Sequence, residues 1–234
     1  RWGMFWSLGF MWNIKNEAFL KDIEWLTSAQ VKLSTGTSGN SEIPYYDHLA
    51  LVSGDANYND EAGIYPSQSG NEELSWEQTW ANNVGVSFGL YNRVNVNVDF
   101  YHKKTTNMLM LVPQSYAITG VGNRWDNIGA MMNRGVEIAI DGDVIRTKDF
   151  TWQLSLNTSV TKNEVNKNQR INTLNDYLEG SAVVDGEAFS TFYSFKYDGL
   201  NDENGTPEFA YMDVLNGTSP LDYLVKSGKF QNVT

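Results

Sequence analysis

Residues 93–101 read RVNVNVDFY, in which Val94, Val96, Val98 and Phe100 alternate with Asn95, Asn97 and Asp99. An extended chain puts these two sets on opposite faces, so the segment predicts a strand with one apolar face and one wet face. Asp99 and the asparagines would be costly in a dry core without partners. Their face therefore meets water, on a solvated sheet or in the lumen of a large barrel.

The same period of two recurs along the chain. In residues 2–14 the even positions Trp2, Met4, Trp6, Leu8, Phe10, Trp12 and Ile14 are large and apolar, against Gly3, Ser7, Gly9 and Asn13. Asn16 then stands where it can cap a short helix running through Ile23, with Glu17 in its first turn. Val31 and Leu33 alternate with Lys32 and Ser34 in residues 29–36, and Val84, Val86, Phe88 and Leu90 with Gly85, Ser87 and Gly89 in residues 76–90. A tight turn at Tyr91-Asn92 leads into the opening segment. Val136, Ile138 and Ile140 alternate with Glu137, Ala139 and Asp141. After a basic turn at residues 146–149, Phe150, Trp152, Leu154, Leu156 and Val160 alternate with Thr151, Gln153, Ser155, Asn157 and Ser159.

Two intervals break the alternation. Residues 37–75, rich in Gly, Ser, Asn and Asp and holding Pro44 and Pro66, predict a long irregular loop; residues 106–127, with Pro113, Gly120 and Gly122, predict a second. In residues 186–211 the aromatics Phe189, Phe192, Tyr193, Phe195 and Tyr197 occupy both parities around a turn-forming cluster at 201–205, which predicts a hairpin inside a third excursion. Connections thus alternate short and long, the rhythm of an antiparallel barrel with short turns on one side of a membrane and long loops on the other. Trp12, Trp25, Tyr91, Phe150 and Trp152 lie beside the short turns, where an interfacial aromatic girdle belongs.

Composition changes this picture in three ways. A net charge of −11 excludes a nucleic-acid partner, which needs clustered Lys and Arg. The absence of cysteine rules out disulfides and thiolate metal sites, and two histidines, His48 and His102, make no histidine-rich metal centre. No apolar run reaches the length of a transmembrane helix. The mean hydropathy of −0.41 would ordinarily indicate a soluble protein, but a membrane barrel hides its apolar surface in every second residue. Residues from Arg1 onward already alternate, without the charged and apolar regions of a signal peptide, so the chain is expected to begin in mid-structure.

About six alternating strands cannot close around a wet interior, because the smallest membrane barrels have about eight. Open edges in lipid would leave backbone groups unpaired, so a barrel reading implies a segment of something larger. The alternative is a secreted carbohydrate-binding β-sandwich without transport activity, whose strands alternate in the same way.

Four blocks in order favour the barrel. Residues 1–12, Arg1-Trp2-Gly3-Met4-Phe5-Trp6-Ser7-Leu8-Gly9-Phe10-Met11-Trp12, form the first. Lys32-Leu33-Ser34-Thr35-Gly36 with Ser38-Gly39-Asn40 is the second. Asn71 with Leu74-Ser75-Trp76-Glu77-Gln78-Thr79 is the third, and Asn127-Ile128-Gly129 with Met132-Asn133-Arg134-Gly135-Val136-Glu137 the fourth. Together they resemble the SusC/RagA family of TonB-dependent outer-membrane transporters of Bacteroidota. The second block departs from the family pattern in lacking an arginine after Leu33, and Glu73 stands near the family's usual proline.

The resemblance implies an all-β fold: residues 1–234 as part of a large antiparallel transmembrane β-barrel, about 22-stranded, with long extracellular loops. Plug domain, TonB box and closing strands would lie outside this chain. It implies nutrient import across the outer membrane rather than catalysis. The substrates would be oligosaccharides or peptides, and the partners a SusD-like surface lipoprotein, the TonB complex and outer-membrane lipid, with no cofactor and no metal. Tyr45, Tyr46, Tyr65, Tyr116 and Trp125 in the long loops are the candidate ligand-binding residues, since aromatic faces stack on sugar rings. Asn95, Asn97, Asp99, Glu137 and Asp141 would line the lumen. Enzymatic chemistry finds no support: Glu77, Glu137 and Asp141 show no pairing of the kind a glycosidase needs. The 201–205 cluster fails calcium-loop spacing, with Leu200 where the first carboxylate belongs.

Overall fold

A computed structural model describes residues 2–168, 172–189, 191–195, 197–209 and 224–226. Six strands form one antiparallel sheet: β1 (Ser7–Trp12), β2 (Leu26–Asn40), β5 (Glu77–Leu90), β6 (Val94–Pro113), β7 (Asn123–Arg146) and β8 (Thr151–Asn168), adjacent in that order. The hairpin of β3 (Leu51–Tyr58) and β4 (Glu61–Gln68) is inserted between β2 and β5 as a separate two-stranded sheet. The main sheet is thus an open meander, with β1 and β8 at its edges.

Register shows why alternation was so regular. Trp12 pairs with Val31, Val31 with Val86, Val86 with Val98, and Val98 with Ile138, so one row of a single face is apolar across five strands. The next row runs Phe10, Leu33, Val84, Phe100, Val136, Val160. On the other face Lys32, Gly85, Asp99, Glu137 and Ser159 share a row, as do Gln30, Ser87, Asn97, Ala139 and Asn157. Because the side-chain period is two, a one-residue slip would reverse both faces at once.

The apolar face is uncovered. Phe100 is 50% exposed and Val160 72%, and Leu154 and Leu156 are exposed alongside them. A β-sandwich would bury this face beneath a second sheet, whereas the other sheets among the described residues have two strands each. The sandwich alternative therefore fails. No helix among the described residues is long and apolar enough to cross a membrane, which leaves crossing by strands open.

Several boundaries differ from the sequence reading. The first regular strand covers Ser7–Trp12 rather than all of residues 2–14. The expected helix from Asn16 to Ile23 does not form. Instead a single 3-10 turn, Ile14–Asn16, starts from Asn13, and Lys15 Nζ donates to the carbonyls of Leu20, Lys21 and Ile23 at 2.8–3.0 Å. One lysine at the centre of a folded-back connection replaces the regular helical ladder.

The two intervals expected to be irregular loops are largely strand. Residues 37–40 complete β2, and β3 and β4 pair through residues 51–68. Asn59 and Asp60 both adopt left-handed φ (52° and 63°), the two-residue turn that matches hairpin twist. Residues 106–113 extend β6, and 123–127 begin β7, leaving only 114–122 as the connection, with α1 (Tyr116–Thr119) inside it. Loop length consequently does not separate the two sides cleanly, since residues 13–25 outrun 114–122. What separates them is topology: β6 and β7 rise well past the apolar rows as a two-stranded ribbon.

The turn at Tyr91-Asn92 is present, with φ of 51° and 56°, and so is the one at 147–150, where Thr147 N donates to Phe150 O at 2.8 Å. The expected late hairpin forms between β10 (Tyr197–Leu200) and β11 (Pro207–Phe209), closed by residues 201–206; β9 (Tyr193–Phe195) pairs separately with β12 (Leu224–Lys226). The remainder of the expected excursion at 210–211 lies outside the described residues.

Leu26 and Ala29 are buried at the short-turn end, and a larger group of buried side chains lies at the loop end. Met110, Val165 and Val183 form a small core with Met108 and Ile128 around them. Residues 182–187 cover it: Val165 N donates to Glu187 O at 2.7 Å and Gly186 N to Val165 O at 2.8 Å. α2 (Leu174–Leu178) leads into this cover, held by a reciprocal capping box between Thr173 and Asp176.

Candidate functional site

The loop end and the polar face of the sheet are the regions where a solute can be met. At the loop end the four sequence blocks converge. Phe5 of the first block lies against Gly39 of the second, where a Cβ would strike its ring, and meets Trp76 of the third edge-on at 5.6 Å between centroids. Gly36 faces the Trp6 carbonyl and Ser7 Cα so closely that a Cβ would sit 2.6 Å and 2.9 Å from them.

Third and fourth blocks are joined by two asparagines. Asn71, buried, donates through Nδ2 to the Trp125 carbonyl at 3.0 Å and to Asp126 Oδ1 at 3.1 Å, while its Oδ1 accepts from Glu73 N. Asn127 accepts from Ser75 N at 2.7 Å and donates to the carbonyls of Ser75 and Asn107. Glu77 Oε2 accepts from Leu109 N at 3.2 Å. An asparagine amide both donates and accepts, so each one satisfies backbone groups on two segments that no ladder pairs. These residues latch the 69–76 segment to the β6–β7 ribbon.

Beside the latch lie two cavities. One of about 410 Å³ is lined by Ile43, His48, Asn71, Glu72, Trp76 and Leu109 among others. The second, about 510 Å³, lies between the β3–β4 hairpin and the α1 loop and includes His48, Pro66, Gln68, Glu72 and Thr119. His48 and Glu72 border both. Neither residue stood out in the sequence, where a lone His in a polar stretch carries no signal.

None of the five candidate aromatics lines these two cavities. Tyr45 is 94% exposed, and Tyr46, also exposed, takes left-handed φ at 70° while its carbonyl accepts from Gln68 Nε2. Tyr65 sits on β4 opposite Ser53, and hydrogen bonds from Ser53 and then Tyr65 hold the Asp55 carboxyl below its ordinary value. Tyr116 overlies Gly122 of its own loop, and Trp125 pairs with Leu111 on the ribbon. The hairpin and the α1 loop touch where Gly120, in left-handed φ, meets Pro66. The aromatics are therefore spread over two touching loops rather than focused on one pocket.

The five expected lumen residues do share one face. Asp99 pairs with Glu137 and Asn95 with Asp141, and Asn97 lies between them opposite Ala139. Asn97, Asp99, Glu137 and Asn157 border a shallow cleft of about 360 Å³. Like charges directly opposite are unfavourable, and Asp99 relieves this by leaning over Gly85, whose missing side chain leaves the space, to accept from Asn83 Nδ2 at 3.5 Å. Near the loop end the same face carries Asn163, which donates to Asn133 Oδ1 and accepts from Phe189 N at 2.6 Å. The 182–189 segment therefore lies over the polar face.

Residues 1–225 match the family described as TonB dependent receptor-like, beta-barrel. The chain is 34% identical to TonB-dependent receptor P39 of Formosa agariphila, over 85% of its own length and 19% of the relative's. It is 32% identical to TonB-dependent receptor SusC of Bacteroides thetaiotaomicron, over 95% and 24% respectively. Among solved structures, the RagAB peptide importer in its closed-closed state superposes with a TM-score of 0.78 at 30% identity, covering 96% of this chain and 26% of that one. The chain thus spans about a fifth to a quarter of the relatives it matches. It belongs to the TonB-dependent receptor β-barrel family, is SusC/RagA-like within it, and is all-β and antiparallel as expected.

Proposed function

We propose that this chain forms part of the wall and extracellular mouth of an outer-membrane importer of the SusC/RagA kind, one that carries oligosaccharides or peptides inward and catalyses nothing. In this reading the plug, the TonB-contacting segment and the closing strands belong to the rest of the parent protein. The open edges at β1 and β8 and the one-quarter coverage of the relatives support this. A SusD-like lipoprotein would cover the loop end, and TonB would act through the plug.

The observation that carries the reading is the uncovered apolar face, continuous across the sheet and opposed by a polar one. In water such a face would drive aggregation; in a bilayer it is the surface that contacts lipid. Asn95, Asn97, Asp99, Glu137 and Asp141 then line the channel. Tyr45, Tyr46, Tyr65, Tyr116 and Trp125 present stacking surfaces around the mouth, and the His48–Glu72 cavities are further candidate contact sites at the loop end. Peptide is favoured as one substrate class by the likeness to a peptide importer.

Fractionation tests the membrane placement: the parent protein is expected in the outer membrane and soluble only with detergent. Recovery as a detergent-free periplasmic monomer overturns it. Uptake by the parent strain of labelled oligosaccharides, peptides and iron chelates then separates the substrate classes; uptake of chelates alone would make it a siderophore-type receptor.

A further inference from the structure

The apolar rows end abruptly toward the loops. Above Phe10, Leu33, Val84, Phe100, Val136 and Val160, the next row of the same face reads Leu8, Thr35, Asn82, His102, Arg134, Lys162. The row beyond holds Trp80, Lys104, Met132 and Glu164. On β6 to β8, then, Lys104, Arg134, Lys162 and His102 point the same way as the lipid-facing valines, and all four are exposed.

Height fits a membrane boundary. From Trp152, in the short-turn girdle, to Lys162 is about 33 Å of strand, or about 23 Å along the normal at a tilt of about 45°. That is close to the apolar band of an outer-membrane barrel, roughly 25 Å. Trp6, just before β1, and Trp80 on β5 stand side by side, their rings edge-on at 6.4 Å, and Trp80 Nε1 donates to Thr35 Oγ1. Here is the second girdle, aromatic on one half of the sheet and basic on the other.

Register makes the basic half anomalous. His102 is directly opposite Arg134, and Arg134 directly opposite Lys162. Basic residues placed opposite one another repel when nothing lies between them. Glu164 bridges Lys162 at 2.9 Å and is also attracted, without a direct bridge, by Arg134. Among the described residues Lys104 and Arg134 have no ion pair, in a chain whose net charge is −11. A chain so acidic has concentrated cations on the one face where lipid headgroups begin.

We propose that this basic row is a binding site for a phosphorylated glycolipid of the outer leaflet, its phosphates held by Lys104, Arg134 and Lys162 and its acyl chains lying on Phe100, Val136 and Val160. Arg134 at the centre can grip a phosphate with two parallel N–H bonds, and the flanking lysines add point charges. His102 stands beside Arg134, its Nε2 3.2 Å from Met132 Sδ. This inference rests on the membrane placement proposed above.

The test uses the intact outer-membrane protein, purified in a zwitterionic detergent and incubated with bisphosphorylated lipid A or with the same lipid after enzymatic removal of its phosphates. Native mass spectrometry reads the lipids retained. Wild type is expected to keep the phosphorylated lipid at least tenfold better than the dephosphorylated one, and K104Q/R134Q/K162Q to lose that preference. Lys103→Gln, one residue away on the polar face, keeps it. Equal retention of both lipids by wild type overturns the proposal without needing any variant, and so does an unchanged preference in the triple variant. Retention of neither lipid also overturns it, and fractionation of the same protein then shows whether the membrane placement falls as well.

Discussion

The lower and upper halves of β6 are one strand in two solvents. From Val94 to Phe100 its apolar side chains face outward and make no buried core, and partners on β5 and β7 present matching valines and isoleucines in register. From Met108 upward the ribbon bulges, buries Met110, and is pinned by Asn71, Asn127 and Glu77 from other segments. In the membrane placement proposed above, a bilayer would stabilise the first half by surrounding it. The second half must supply its own interior, and does so with a few latching amides and one small core.

The strongest way to break that comparison is a charge in the lower half. Val96→Arg is expected to cost about 2–4 kcal/mol if the residue lies near the bilayer midplane, while Asn97→Ser, one position on, leaves folding intact. Heat-modifiability on gels and urea unfolding in lipid vesicles measure both. Equal tolerance at the two positions would return the strand to water.

In the upper half, Asn127→Ala leaves Ser75 N and two carbonyls without their partner, and a loss of about 1–3 kcal/mol follows for the latched segment. The effect is local: amide exchange should accelerate across residues 69–76 and leave residues 94–100 unchanged. Acceleration along the whole of β6 would mean the halves are one cooperative unit. Gly36→Ala tests the junction of the first two blocks. Its new methyl meets backbone, the Trp6 carbonyl and Ser7 Cα, so about 1–3 kcal/mol is expected. Gly39→Ala should cost less, because the obstacle there is the Phe5 ring, which can turn.

The lower half was legible in the sequence almost residue by residue, because a period of two is all that lipid on one side and water on the other require. Val94 to Phe100 and Trp152 to Val160 needed nothing more. The upper half was not. Residues 51–68 form strands although Gly, Pro and Asn crowd them, since cross-strand pairing overrides weak local preference, whereas the apolar run 108–112 was hidden by the Pro113, Gly120 and Gly122 that follow it. Asn71 and Asn127 were visible within their blocks, but nothing in the blocks says that they touch. His48 and Glu72 come together only after the hairpin has folded over. The basic row escaped notice because His102, Arg134 and Lys162 are far apart in sequence and meet only through register.

The smallest effect concerns the β3–β4 hairpin, which meets the α1 loop at Pro66 against Gly120 and is held to the 46–49 loop by Gln68. Ser53 and Tyr65 donate to Asp55 and hold its folded-state pKa below the ordinary 3.8. A depressed carboxylate contributes stability that is fully present above the unfolded value and is lost as pH falls through the folded one. The hairpin should therefore be insensitive to pH between 5 and 8 and loosen only in acid. Tyr65→Phe should raise the Asp55 pKa toward its ordinary value, so that less of the hairpin's stability is lost in acid. NMR titration of Asp55 in wild type and variant measures the shift directly, and coincident curves would show that the hydrogen bond across the hairpin contributes nothing to its closure.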